Sequence, residues 1–224
     1  MRDGILSDRG IWQAVRNQRR YESLRARSCL SWNNGGLSFV GRLHMAWLKR
    51  QPRIHIDNFS PVYTEDGGSL GPNSYDLKLS EKLKIYEFGC LSDTGPNRDS
   101  PFLDMRKATN TKEIVIPPDG MVLKPGTLYL GCTVEHTETY NLVAYIDGRS
   151  SCGRLGLFTH ITAGAADRAF QGRFTLELAV IHPLKVYANT RICQIRFHTI
   201  GAGRDYAGRY QHAPTGPVAS LLHT

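Results

Sequence analysis

No run of apolar residues in the sequence approaches the ~20 that a membrane-spanning helix requires. Its first residues carry charge (Arg2, Asp3, Asp8, Arg9) where a signal peptide would hold its apolar stretch. Neither a membrane anchor nor a secretory leader is read from it, and a cytoplasmic location is expected. Cysteine is sparse: Cys29, Cys90, Cys132, Cys152 and Cys193 are odd in number, widely spaced and without any Cys-x-x-Cys. That pattern argues against a disulfide framework and against a cysteine zinc site, and predicts reduced, mostly buried thiols. Walker phosphate loops and Gly-x-Ser-x-Gly nucleophile elbows are missing as well. His136-Thr137-Glu138 matches the first half of the zinc nucleobase-deaminase signature, but the Pro-Cys-x-x-Cys half is missing. A mechanism built on metal-bound hydroxide therefore lacks its ligands.

What is present is a chain of 224 residues, 41% apolar, enough for one sizeable core in one domain. The net charge of +8 is concentrated at one end, since residues 1–54 hold eleven Lys/Arg against three Asp/Glu. Ser7-Asp8 followed by Ile11, Trp12, Ala14 and Val15 predicts a capped helix within residues 1–15. Residues 16–54 then form a basic insertion with Trp32, Trp47 and a turn signal at Asn33-Asn34-Gly35-Gly36. Such a segment reads either as an arm for nucleic acid or another anionic partner, or as a solvated helical hairpin or poorly ordered insertion. The second reading is preferred, because no nucleic-acid motif accompanies the charge.

From residue 55 onward the texture is that of short strands between turns. Tyr75–Leu79, Leu83–Phe88, Glu113–Ile116, Thr127–Val134, Asn141–Ile146, Arg173–Ile181 and Arg191–Thr199 alternate or run apolar over strand lengths. Gly71-Pro72-Asn73, Gly95-Pro96-Asn97, Pro117-Pro118-Asp119-Gly120 and Pro125-Gly126 punctuate them. Parallel βαβ units would need intervening helices, and no helical period competes, so an all-β antiparallel barrel or sandwich is predicted over 55–224.

Two runs could carry chemistry. Asp147-Gly148-Arg149-Ser150-Ser151-Cys152-Gly153-Arg154 gathers two guanidinium groups, two hydroxyls and two glycines. These are the elements of an anion site, although a hydrogen-bonded surface turn has the same composition. In Arg173–Val180 the period of two sends Phe174, Leu176, Leu178 and Val180 to one face and Thr175, Glu177 and Ala179 to the other. Glu177 is the strand's lone carboxylate, suited to general-base work if its face lines a pocket. Gln194 projects likewise from Arg191–His198, opposite Cys193, Ile195 and Phe197. Asp167 lies across a turn from Glu177 and could supply a second carboxylate.

Together with Gly71–Leu77, His160-Ile161-Thr162-Ala163-Gly164 and Gln194-Ile195, the runs Asp147–Leu157 and Gly172–Leu178 resemble the dCTP deaminases and their relatives in the dUTPase superfamily. The resemblance spans about residue 55 to the C-terminus, plus the first helix. It implies a distorted jelly-roll barrel, a homotrimer with active sites at subunit interfaces, and zinc-independent deamination of a nucleoside triphosphate bound with Mg2+. By the same motifs, Glu177 is the catalytic base, Arg149, Ser150 and Ser151 serve the phosphates and the water, and Arg154 steadies the reacting end. Asp167 and Thr175 line the nucleotide, Gln194 contacts it, and Tyr206 with Arg209 forms a C-terminal phosphate-contacting pair. Cys152 and Gly153 within the turn, and Leu176 beside Thr175, complete the substrate-binding set.

The chain departs from the family pattern at Arg168-Ala169, where Pro-Gly is usual, at Val180 in place of Asn, at Arg209 in place of Lys and at Ala213 in place of Gln. The expectation drawn from the resemblance is conversion of dCTP to dUTP. One alternative is a bifunctional enzyme that also releases diphosphate to give dUMP, and another is a non-catalytic, nucleotide-binding regulatory relative. No membrane partner and no nucleic-acid partner are expected.

Overall fold

The computed structural model describes residues 4–30, 39–87, 102–212 and 215–222. Helix α1 (Asp8–Leu30) starts at a Ser7 cap, whose Oγ accepts the Gly10 N–H at 3.3 Å. Ile11, Ala14 and Val15 are buried on its inner side, and the helix packs on strand β1 (Arg53–Ile56). The helix is longer than the predicted 1–15. A second helix, α2 (Phe39–Lys49), lies beside it, so the segment expected as a basic insertion over 16–54 is largely helical and already enters the barrel at Arg53.

The physical reason lies in what α1 buries after Val15. Asn17 and Gln18 are buried, and polar partners hold them: Gln13 Nε2 donates to Asn17 Oδ1 at 2.9 Å, and Asn17 Nδ2 donates to the Pro52 carbonyl at 3.2 Å. Arg53 Nη1 donates to Gln18 Oε1 at 2.7 Å, with the Arg53 guanidinium 4.1 Å from the Tyr21 ring centroid and 4.3 Å from that of Tyr140. A stripe of apolar residues would have announced this face, but a buried polar network does not. Trp32 and the turn signal at 33–36 lie outside the described residues.

The barrel strands follow: β2 (Tyr75–Lys78), β3 (Lys82–Glu87), β4 (Asn110–Val115), β5 (Met121–Leu123), β6 (Tyr129–Cys132), β7 (Thr137–Tyr140) and β8 (Leu142–Gly148). After the short helix α3 (Ser150–Arg154) come β9 (Leu157–Phe158), β10 (Ala165–Ala166), β11 (Gln171–Gly172), β12 (Thr175–Val180), β13 (Leu184–Val186) and β14 (Arg191–Thr199). They form sheets ordered β10-β8-β14-β2, β4-β3-β6-β12-β9, β1-β7-β11 and β13-β5, with every strand pair antiparallel.

The architecture is the expected distorted jelly-roll barrel. Leu77, Ile146, Cys193, Ile195 and Phe197 from one large sheet join Leu83, Leu176 and Leu178 from the other in one buried cluster. All seven predicted strands are present within a few residues; Phe88 and the Gly95–Asn97 turn lie outside the described residues. Strand β7 is additional to them. Its inward positions are Thr137 and Thr139, whose hydroxyls donate to the Gly172 and Phe170 carbonyls at 3.4 and 3.5 Å, so it buries a threonine face in place of an aliphatic one. Cys132 and Cys193 are buried free thiols and Cys152 is half-buried. Cys29 and Cys90 fall outside the described side chains.

Candidate active site

Strand β12 alternates as its sequence demands: Leu176, Leu178 and Val180 are buried, while Thr175, Glu177 and Ala179 are half-buried on the other face. The aliphatic face anchors the strand in the core and thereby fixes the direction of Glu177. Oε2 of Glu177 accepts the Ile161 N–H at 3.2 Å, and its own N–H donates to the Thr159 carbonyl at 3.0 Å. The carboxylate is thus braced by the 159–161 loop while part of it remains open to a cavity of about 390 Å3. Phe170, Phe174 and Tyr206 form one wall of this cavity, with ring centroids 5.0 Å apart for Phe170–Phe174 and 6.3 Å apart for Phe170–Tyr206. Thr175 and Asp167 line the same space, the latter exposed at the start of the turn between β10 and β11.

That turn keeps a left-handed residue. Ala169 has φ 64°, a conformation that suits glycine, and it occupies the place where the family pattern has glycine. An alanine in this conformation carries a local steric cost that glycine would not.

The C-terminal residues close part of the cavity. The Val218 N–H donates to Thr175 Oγ1, the Ser220 N–H to the Tyr86 hydroxyl and the Leu221 N–H to the Tyr210 hydroxyl, each at 3.1 Å. Thr175, expected against a nucleotide, is here engaged by the chain's own backbone.

A second cleft, of about 430 Å3, has the opposite character. Arg149, Ser150, Ser151, Arg154 and Gln194 line it, together with Asp76 and the 71–74 turn. Asp76 is a member of the site that sequence reasoning missed. It is 4% exposed, and its Oδ2 pairs with Arg149 Nε at 2.9 Å while Arg149 Nη1 donates to the Arg191 carbonyl at 3.0 Å. The arginine is thus held from beneath, with the exposed Ser150 and Ser151 beside it. Burial pushes the Asp76 carboxyl above the usual range, opposed by Arg149 and Arg191. The signal that could have found it is a carboxylate on β2 between Tyr75 and Leu77, where a solvent-facing residue would need no cation behind it.

Among the described residues, the predicted set therefore falls into two groups. Glu177, Asp167, Thr175 and Tyr206 share the first cavity; Arg149, Ser150, Ser151, Arg154 and Gln194 share the second; no residue lines both. Gly153 borders a smaller depression with Thr159 and His160. Cys152 turns inward, its Sγ 3.9 Å from the Arg191 carbonyl. Leu176 is corrected as a side-chain contact, since the strand period places it 1% exposed in the core, away from Glu177. Arg209 lines neither cleft and does not pair with Tyr206; it donates to the Leu221 carbonyl at 3.0 Å. Ala213 lies outside the described residues. In the partial zinc signature, His136 Nε2 lies 3.3 Å from Glu138 Oε1, and the Tyr140 hydroxyl donates to Glu138 Oε2 at 2.6 Å.

Comparison with known proteins gives this geometry its context. The family model described as dCTP deaminase-like matches residues 43–200. A Hathewaya histolytica protein named dCTP deaminase, dUMP-forming is 44% identical over 172 residues, covering 76% of this chain and 91% of that protein. A Leptospira biflexa protein of the same name is 48% identical over 156 residues, 69% of this chain and 82% of that one. The crystal structure of 2'-deoxycytidine 5'-triphosphate deaminase from Agrobacterium tumefaciens superimposes with a TM-score of 0.50 at 19% identity. It matches 88% of this chain and 48% of its own, so this chain spans about half its length, and the likeness concerns the fold. The relatives correct one expectation: their name gives dUMP as the product, against the expected dUTP, and it favours the bifunctional alternative. With the family model covering most of the chain and relatives of this similarity, the chain belongs to the dCTP deaminase-like family.

Proposed function

We propose that this protein deaminates dCTP and cleaves the resulting triphosphate, giving dUMP, ammonia and diphosphate. The observation that carries the reading is the presence of two carboxylates, Glu177 and Asp167, on one aromatic-walled cavity of a chain whose relatives are named dUMP-forming. In the first step Glu177 takes a proton from a water whose oxygen adds to C4 of the cytosine. It then delivers that proton to the amino nitrogen, and ammonia leaves as the C4 carbonyl forms and the remaining hydroxyl proton passes to N3. In the second step Asp167 orients another water toward the α-phosphorus; the new P–O bond forms as the bond to diphosphate breaks. The substrate is the Mg2+ complex of the nucleotide, the ion entering with the triphosphate. Arg149, Ser150 and Ser151 bind the phosphates, and Arg154 and Gln194 complete the contacts.

The division of these residues between two clefts supports a site shared between subunits of a homotrimer, in which the base-carrying cavity of one copy meets the Arg149 cleft of its neighbour. Such an enzyme would work on the cytoplasmic nucleotide pool. The test is incubation of the pure protein with Mg2+ and either dCTP or dUTP, followed by chromatography. Release of dUMP and ammonia from dCTP is expected, and accumulation of dUTP with no dUMP would refute the bifunctional reading.

A further inference from the structure

The turn that bears Asp167 departs from the family pattern at Arg168, and that side chain is the most heavily engaged one near the C-terminal segment. Its Nη2 donates to Asn141 Oδ1 at 2.8 Å, its Nη1 donates to the Gly203 carbonyl at 3.0 Å, and its Nε is ion-paired with Asp205 Oδ1 at 2.9 Å. Its own carbonyl accepts the Tyr206 N–H at 2.8 Å. Asn141 is itself fixed, donating from Nδ2 to the Lys49 and Gln51 carbonyls at 2.9 and 3.0 Å. The grip therefore starts on the barrel and ends on the tail. The following residues continue it: Gln211 Nε2 donates to the Ala169 carbonyl at 2.7 Å, its Oε1 accepts the Gln171 N–H at 3.1 Å, and the His212 N–H donates to the Gln171 carbonyl at 2.9 Å. This track delivers Tyr206 and Tyr210 to the cavity of Glu177. Proline, the family residue at this position, has no side-chain donor and could make none of the three side-chain contacts.

We propose that Arg168 is a positioning residue that clamps residues 203–206 against the barrel and so sets how firmly the C-terminal segment walls the nucleotide cavity. Arg168 does not line the cavity and touches no reacting group, so its effect belongs in substrate affinity. A planar guanidinium can aim Nη1 and Nη2 at two acceptors while its charge faces a carboxylate, which a lysine ammonium on a flexible stem does poorly. The inference rests on the proposed dCTP chemistry only for its kinetic readout.

The test compares wild type with Arg168→Ala and with the exchange Arg168→Asp/Asp205→Arg. Arg168→Ala is expected to raise KM for dCTP about tenfold with kcat within about threefold, the loss of one to two charge-assisted contacts. Trypsin should cut after Arg204 and Arg209 about tenfold faster. The exchange, which restores the ion pair alone, should recover part of the KM effect; it is read by kinetics only, because it adds a tryptic site at 205. Unchanged KM and unchanged cleavage in Arg168→Ala would overturn the clamp, as would a fall in kcat at constant KM. If Arg168→Ala does not fold, Asp205→Asn at an exposed tail position carries the same expectations at about threefold. Wild type that leaves dCTP untouched would sink the proposed function, while the trypsin rates would still decide the clamp.

Discussion

The two clefts of this chain are built on opposite principles. Around Glu177 the walls are mainly aromatic and aliphatic, and Glu177, Asp167 and Arg173 are the charged groups brought to them. Around Arg149 the walls are hydroxyls, amides and guanidinium groups, with a buried Asp76 behind the arginine. Aromatic and aliphatic walls suit a planar ring, which packs on them with little desolvation cost. A polar cleft suits a triphosphate, because phosphate oxygens need several fixed donors and compensating positive charge. The predicted base Glu177 lines the first cleft, and the Arg149, Ser150 and Ser151 donors line the second. In the reading proposed above the chemistry belongs to one and the binding to the other, and each can be broken separately.

The largest effect should come from the apolar cleft. Glu177→Gln keeps the shape of the strand and its contact with the Ile161 N–H region but removes the base, so kcat for deamination should fall by about 10²–10⁴ while nucleotide still binds by calorimetry. A variant deaminating at near wild-type rate would remove Glu177 as the base. Asp167→Asn should leave deamination within about tenfold yet halt the reaction at dUTP, visible in the same chromatogram; undiminished dUMP would release Asp167 from the second step.

The polar cleft should respond in affinity. Asp76→Asn leaves Arg149 without its buried counter-charge, and KM should rise about 10- to 100-fold with a smaller change in kcat. A test that joins the clefts is subunit mixing: Glu177→Gln and Arg149→Ala proteins, each inactive alone, should regain activity at about a quarter of the sites after co-refolding, if each site draws one half from each neighbour. No recovery in verified mixed trimers would place both halves in one subunit's site. The smallest effect is expected at Ala169→Gly, which relieves the left-handed alanine and should raise stability by about 1 kcal/mol in urea denaturation.

Much of this molecule is legible in its sequence, and the illegible parts share a cause. The face of β12 follows from alternation alone, because Leu176, Leu178 and Val180 at every second position leave Glu177 only one direction, whereas Phe174, expected on the aliphatic side, precedes the strand and lines the Glu177 cavity. The start of α1 follows from Ser7 and from Ile11, Ala14 and Val15. Its continuation to Leu30 does not, since Asn17, Gln18 and the buried Arg53 give no apolar period and acquire their meaning only when the strand meets the helix. Strand β7 is hidden for the same reason, its buried side being threonine hydroxyls satisfied by distant carbonyls.

The sequence by itself determined the fold class, the family resemblance and the chemical types at the site, because periodicity and residue chemistry are properties of short runs. Only the tertiary structure decided that Asp76 stands behind Arg149, that Arg168 grips Asp205, and that the Glu177 and Arg149 groups line different clefts. Those are contacts between residues far apart in the chain, chosen by how the barrel closes on itself, and no local pattern encodes them.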